Sequence, residues 1–144
     1  MTRFPRIKQK WACGPCAVRF LIKHFEGIDV PEKELVVDLA TNVDGFTTLP
    51  RNIIKYLRAR GYTARPRRGM KRMALVNALS NEALIITPFW NHYHVLLSIE
   101  GDTAKFFEGI NGGFEMPVDE FIRSWIDKDE NGTIYDSYGI IVRK

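Results

Sequence analysis

The only two cysteines in this chain of 144 residues lie together in "KQKWACGPCAVRF", as Cys13-Gly14-Pro15-Cys16. Three chemistries use such a pair. A Cys-x-x-Cys redox couple lowers one thiol pKa and exchanges a disulfide. It sits at the end of a strand, and the twelve residues before Cys13 hold only "RFPRIKQK", a poor buried strand. A structural zinc site needs four ligands. The three histidines, His24, His92 and His94, are not arranged as a second paired motif, so no metal is expected. The third chemistry is a single nucleophile. Cys13 then stands at the N-terminus of a helix, where free N–H groups and the helix dipole favour a thiolate. Gly14 leaves room for backbone to approach a carbonyl, and Cys16, one turn on, packs the helix as a small buried residue.

A thiol nucleophile needs a base. His92 and His94 alternate on an expected strand and point to one face. Glu108 lies on the strand that returns and can hold an imidazole in the required tautomer.

The elements that must position these groups follow from periodicity. "CGPCAVRFLIKHF" sets Ala17, Val18, Leu21, Ile22 and Phe25 on one helical stripe, stopped at Gly27. A second helix is expected in "VPEKELVVDLA", opened by Pro31, and a third in "TTLPRNIIKYLRARG", with a threonine cap and Pro50 in its first turn. "KRMALVNALS" is a shorter fourth. The second half changes period. "ALIITPF" reads as a buried strand, "HYHVLLSI" and "AKFFEG" as a hairpin about "EGD", "PVDEFIRSW" as a helix and "YGIIVRK" as a closing strand. N-terminal helices packed on a C-terminal antiparallel sheet make an α+β fold, in one domain spanning residues 1–144.

Composition narrows the class. A 45% hydrophobic and 26% charged chain is ordinary for a globular protein. No apolar run is long enough for a membrane span, and "MTRFPRIKQK" lacks the core of a signal peptide. The expected location is the cytoplasm, where thiols stay reduced. "NGT" at 131–133 therefore reads as a turn rather than a glycosylation acceptor. A net charge of +4 is too weak to imply nucleic acid. The segment "RARGYTARPRRGMKR", residues 58–72, is nonetheless strongly basic and is either a solvated face or an electrostatic dock for an acidic partner.

The ordered set of motifs from Gln9 to Trp125 resembles the bacteriocin-processing cysteine peptidase family, a papain-like group, and especially its small stand-alone members. The resemblance rests on Gln9, the Cys-Gly-Pro start, the helices "GIDVPEKELVVDLA" and "DGFTTLPRNIIKYLRARGY", the His-Tyr of "NHYHVLL", an acidic residue sixteen positions on, and "PVDEFIRSW". It implies a papain-like fold with Cys13 as nucleophile, His92 as base, Glu108 as the orienting carboxylate and Gln9 as an oxyanion-hole donor with the Cys13 N–H. It also implies a peptide or small amide as substrate and no cofactor. Relatives in exporters cut leader peptides after a double glycine; this chain shows no transporter segments. It departs from the pattern in three places. Glu108-Gly109 replaces the usual Asp-Pro, Cys16 replaces an alanine, and Gln9 is closer to the cysteine than in many relatives. An ungapped match selects His92, whereas counting the hairpin about Gly101 places Glu108 opposite His94; His92 is preferred and His94 is the second choice. Three other outcomes stay open: an acyltransferase, a catalytically dead peptide-binding module, and an oxidoreductase using Cys13 and Cys16. Composition sets no oligomeric state.

Overall fold

A computed structural model describes residues 13–41, 48–89, 92–109, 112–128 and 132–144. The first helix, α1 (Cys13–Glu26), is followed by α2 (Glu32–Asp38) and α3 (Pro50–Ala59). Strand β1 (Thr63–Arg67) and helix α4 (Arg72–Ser80) lead into β2 (Leu84–Phe89), β3 (His92–Glu100), β4 (Thr103–Glu108) and β5 (Gly112–Pro117). Helix α5 (Val118–Ser124), the short ribbon β6 (Ile126–Lys128) and β7 (Ile134–Asp136), and β8 (Gly139–Arg143) complete the order. Six strands form one sheet in the order β1-β8-β2-β3-β4-β5, and every pairing in it is antiparallel.

The α+β class holds, with helices on both faces of the sheet. Helices α1, α2 and α3 bury Leu21, Ile22, Leu35, Ile53 and Leu57 against Ile86, Val95, Phe107, Ile140 and Val142. The second face packs Leu75 of α4 and Phe121 of α5, with Trp125, against Ile85, Leu96, Ala104 and Phe106. Alternation explains the split. Successive strand side chains point to opposite faces, so β3 and β4 each feed both cores. Phe20 stacks on Phe107 with ring centroids 4.4 Å apart and ties α1 to β4, one strand in from the β5 edge.

Four strands lie outside what the periodicity foretold: β1, β5 and the two of the β6–β7 ribbon. Strand β1 comes from the basic segment and forms an edge of the sheet through β8. Only Ala64 of its five residues is buried, so it carries little apolar alternation, and its Pro66 suits an edge strand. Strand β5 extends the hairpin of β3 and β4 to a third strand. The hairpin itself turns where expected, with Gly101 at φ +62° and Glu100 opposite Thr103.

The expected threonine cap on α3 is corrected. Leu49 occupies the cap position and no side chain caps the helix. Thr48 turns inward instead, where its Oγ1 lies 2.8 Å from the Thr41 hydroxyl. The burial of Thr48 against Gly14 outweighs its use at the helix end. A Cβ on Gly14 would sit 2.7 Å from both Cβ and Oγ1 of Thr48, closer than real Cβ contacts allow. Gly14 is therefore needed for close approach.

Gly14→Ala should destabilise the fold by about 1–3 kcal/mol, the usual cost of overpacking a tight contact. Urea denaturation measures it. A loss under about 0.5 kcal/mol, the scale of an ordinary surface change, would mean that Thr48 yields freely.

Candidate active site

Cys13 is the first residue of α1, and Pro15 lies in the first turn, where its missing N–H costs nothing. The thiol is buried, with 6% of the residue exposed. Burial pushes its pKa up, opposed by backbone hydrogen bonds from Tyr93, Gly14 and Cys13 itself. The contact with Tyr93 fixes the place of the sulfur: it lies against the first peptide unit of β3, which joins His92 to Tyr93.

Tyr93 holds this junction together. Its hydroxyl donates to the Thr48 carbonyl oxygen. Thr48 in turn packs on Gly14 and meets Thr41. Three segments distant in sequence thus converge beside the thiol: the start of α1, the approach to α3, and the start of β3. Tyr93 and Thr48 both fall inside motifs that assign them no such role. Tyr93 lies between two histidines that draw attention to themselves, and "TTLP" reads as a cap.

His92 opens β3 opposite Phe89 of β2 and is half-buried. Its Nδ1 is shut off from solvent and has no hydrogen-bond partner among the described residues. His94 pairs with Thr87 on one side and Glu108 on the other. It is 3% exposed and stands edge-on to Phe106 and Phe114, with ring centroids 6.2 and 5.5 Å away. Loss of solvation, then the neighbouring His92, push its pKa down to about 3. Glu108 is also 3% exposed. The rings of His92 and His94 lie 6.3 Å apart. Strand alternation and the His94–Glu108 pairing set both histidines and Glu108 on the face shared with Phe106. Cys13 belongs to the core of the other face and meets β3 at its end, through the Tyr93 backbone. Gln9 lies outside the described residues, as does Asn131 of the "NGT" turn.

Cys16 is buried in the α1 core, and desolvation, aided by Glu32, pushes its pKa up to about 12. Neither cysteine is in a disulfide. Among the described residues no group of three or more His, Cys, Asp or Glu side chains is placed to hold a metal ion.

The depressed pKa of His94 has a sign. An unfolded histidine takes up its proton near pH 6.5, whereas folded His94 resists it to about 3. Stability from this residue is therefore complete above about pH 6.5 and is lost as pH falls, by at most about 1.4 kcal/mol per unit. His94→Gln should flatten the fall in unfolding free energy between pH 7 and 5. Equal slopes in the two proteins would show that His94 titrates normally.

No family model matches the sequence, and no curated protein matches it either. Solved structures do match the fold. A double glycine motif protease from an AMS/PCAT transporter, determined in complex with the leader peptide, superposes with a TM-score of 0.73 at 20% identity, covering 99% of this chain and 91% of that one. The peptidase domain of Streptococcus ComA, a bi-functional ABC transporter involved in a quorum-sensing pathway, gives 0.69 at 18% identity over 96% and 94%. The N-terminal peptidase C39 like domain of the toxin secretion ATP-binding protein from Vibrio parahaemolyticus gives 0.58 at 17% identity over 96% and 98%. From the N-terminal helix to the six-stranded sheet, this chain has the papain-like fold of the double-glycine peptidase domains.

Proposed function

We propose that this chain is a cysteine peptidase-like hydrolase that cleaves a peptide or amide bond at Cys13. The observation that carries this reading is the position of the Cys13 thiol, at the N-terminus of α1 and against the peptide unit between His92 and Tyr93. Peptide is the preferred substrate class because a protease of the same fold binds a leader peptide. No described helix is long and apolar enough to cross a membrane, which is compatible with action in the cytoplasm.

The resting thiol is neutral, since burial raises its pKa. The proton must therefore leave as the sulfur attacks. In the proposed cycle His92 accepts it while sulfur adds to the carbonyl carbon. The oxyanion is met by the Cys13 N–H and the Gln9 side chain, a kind of donor worth about 10²–10³ in rate. The His92 imidazolium then protonates the leaving amine as the C–N bond breaks, and a thioester remains. His92 next takes a proton from water, whose oxygen adds to the thioester carbon. The C–S bond breaks, the proton returns to sulfur and the acid product leaves. An amine or thiol entering in place of water makes the same site an acyltransferase. Glu108 is assigned the orienting role. It lies diagonal to His92 across the β3–β4 ladder, a separation of about 7–8 Å between backbones, and its extra methylene adds reach. His92 is preferred over His94 as the base because His94, with a pKa of about 3, is too weak a base to hold the thiol proton and is wedged among aromatic rings.

A second reading has support of its own. A thiol this deeply buried also suits a peptide-binding module that no longer cleaves. Disulfide exchange is the weakest reading, because a Cys16 pKa of about 12 leaves almost no thiolate to resolve a mixed disulfide.

A peptide ending its leader in Gly-Gly separates these outcomes. Cleavage should vanish in Cys13→Ala, fall by about 10²–10⁴ in His92→Ala, and persist in Cys16→Ser. Turnover surviving Cys13→Ala sinks the hydrolase, and binding without cleavage by the unaltered chain selects the binding module.

The thiol itself gives an independent check. With Cys16→Ser as background, the rate of Cys13 alkylation by iodoacetamide should rise with a midpoint above the free-cysteine value of about 8.5. A midpoint well below that value would reveal a preformed thiolate–imidazolium pair and overturn the neutral resting state.

A further inference from the structure

The basic segment that the proposed chemistry does not use folds into one wall of a groove. Alternation on β1 sets Arg65 and Arg67 on one face, about 7 Å apart along the strand. Arg143 of β8 pairs with Thr63, which brings it diagonal to Arg65 at about 7–8 Å. These three arginines line a groove of about 480 Å³ whose other wall is α4. That wall presents Asn77, Ala78 and Asn81, small or neutral residues, and no carboxylate lines the groove. A volume of this size lies in the range of ligand-binding clefts, about 300–1,000 Å³.

Two other arginines of the basic segment have acidic partners: Arg60 pairs with Glu26 at 2.9 Å and Arg72 with Asp102 at 3.0 Å, while Arg58 and Arg68 donate to the carbonyl oxygens of Ala64 and Ile134. Arg65, Arg67 and Arg143 have no ion pair among the described residues. Like charges set side by side on a sheet repel one another, so the cluster favours an anion between them. Arginine suits the task, because its planar fork takes a carboxylate through two parallel hydrogen bonds.

We propose that this groove docks an acidic peptide segment in extended conformation. Alternate carboxylates on an extended chain repeat at about 7 Å, the spacing of Arg65 and Arg67. The groove is a confined niche rather than a long stripe. With a net charge of only +4 on the whole chain, it fits a short acidic segment better than a nucleic-acid backbone. The site lies at the β1 edge and does not include Cys13, so it stands whether or not the chain cleaves peptides.

The test uses the intact chain and a fluorescein-labelled Glu-Ala-Glu-Ala-Glu peptide, read by fluorescence anisotropy. Binding should weaken about tenfold between 50 and 500 mM salt, as screening shortens the reach of exposed charges. Arg65→Gln, Arg67→Gln and Arg143→Gln should each weaken it by at least about fivefold, while exposed Lys55→Gln and the catalytic-site change Cys13→Ala leave it unaltered. The far-ultraviolet circular dichroism of each variant verifies its fold. The matching Gln-Ala-Gln-Ala-Gln peptide should not bind. Four results overturn the proposal: equal binding of the glutamine peptide, unchanged affinity in the three arginine variants, an equal loss in Lys55→Gln, or tighter binding of a short single-stranded oligonucleotide at the same salt. Affinity lost in Cys13→Ala would also count against it, by tracing the binding to the catalytic cleft.

Discussion

Everything at the site depends on how closely the start of α1 can approach the start of β3. The approach is possible because residue 14 has no side chain and Thr48 fills the space that a Cβ would occupy. Tyr93 then spans the junction, with its backbone on the Cys13 sulfur and its hydroxyl on the Thr48 carbonyl. The Cys13 thiol is thus held by contacts among three chain segments rather than by α1 alone. This is the economy of a thiol on a helix terminus: the backbone that positions the sulfur also supplies the N–H groups that oppose its desolvation.

The rest of the fold serves to bring that junction together and keep water from it. Phe20 on Phe107 anchors α1 over the sheet, and the aliphatic faces of α2 and α3 close around it. The cost of this burial is visible in the titrating groups. Cys13 and Cys16 are both pushed up and His94 is pushed down, each chiefly by desolvation. Burial thereby favours the neutral forms of both thiols and of His94.

Charge is distributed by the same topology. Strand β1 joins the sheet only through β8, so its polar face is spared the core and its arginines gather at one edge. The buried half of the molecule and the charged edge are set by alternate residues of the same two strands: Ala64 and Val142 turn inward, Arg65 and Arg143 outward. The mouth of the groove and the Cys13 junction therefore belong to separate parts of one sheet.

Much of this was legible in the amino-acid order. Helical stripes around Leu21 and Ile53, the hairpin about Gly101 and the closing apolar strand each follow from local periodicity, and the structure has each of them. The Cys-Gly-Pro start announced a helix-borne thiol because that inference needs only neighbours in sequence. The α+β class and the likeness to double-glycine peptidases were readable for the same reason, from the order of such motifs. What the sequence could not yield were contacts between segments far apart. Thr48 looked like a cap and became the floor under Gly14. Tyr93 read only as the second half of a His-Tyr motif and became the tie to Cys13. Strand β1 looked like a basic surface because an edge strand with one buried residue leaves almost no periodic trace. The pairing of Glu108 with His94, and the burial that keeps His94 neutral, arise only when β2, β3 and β4 lie side by side. Local order decides which residues can do chemistry; packing decides which of them meet, and in what charge state.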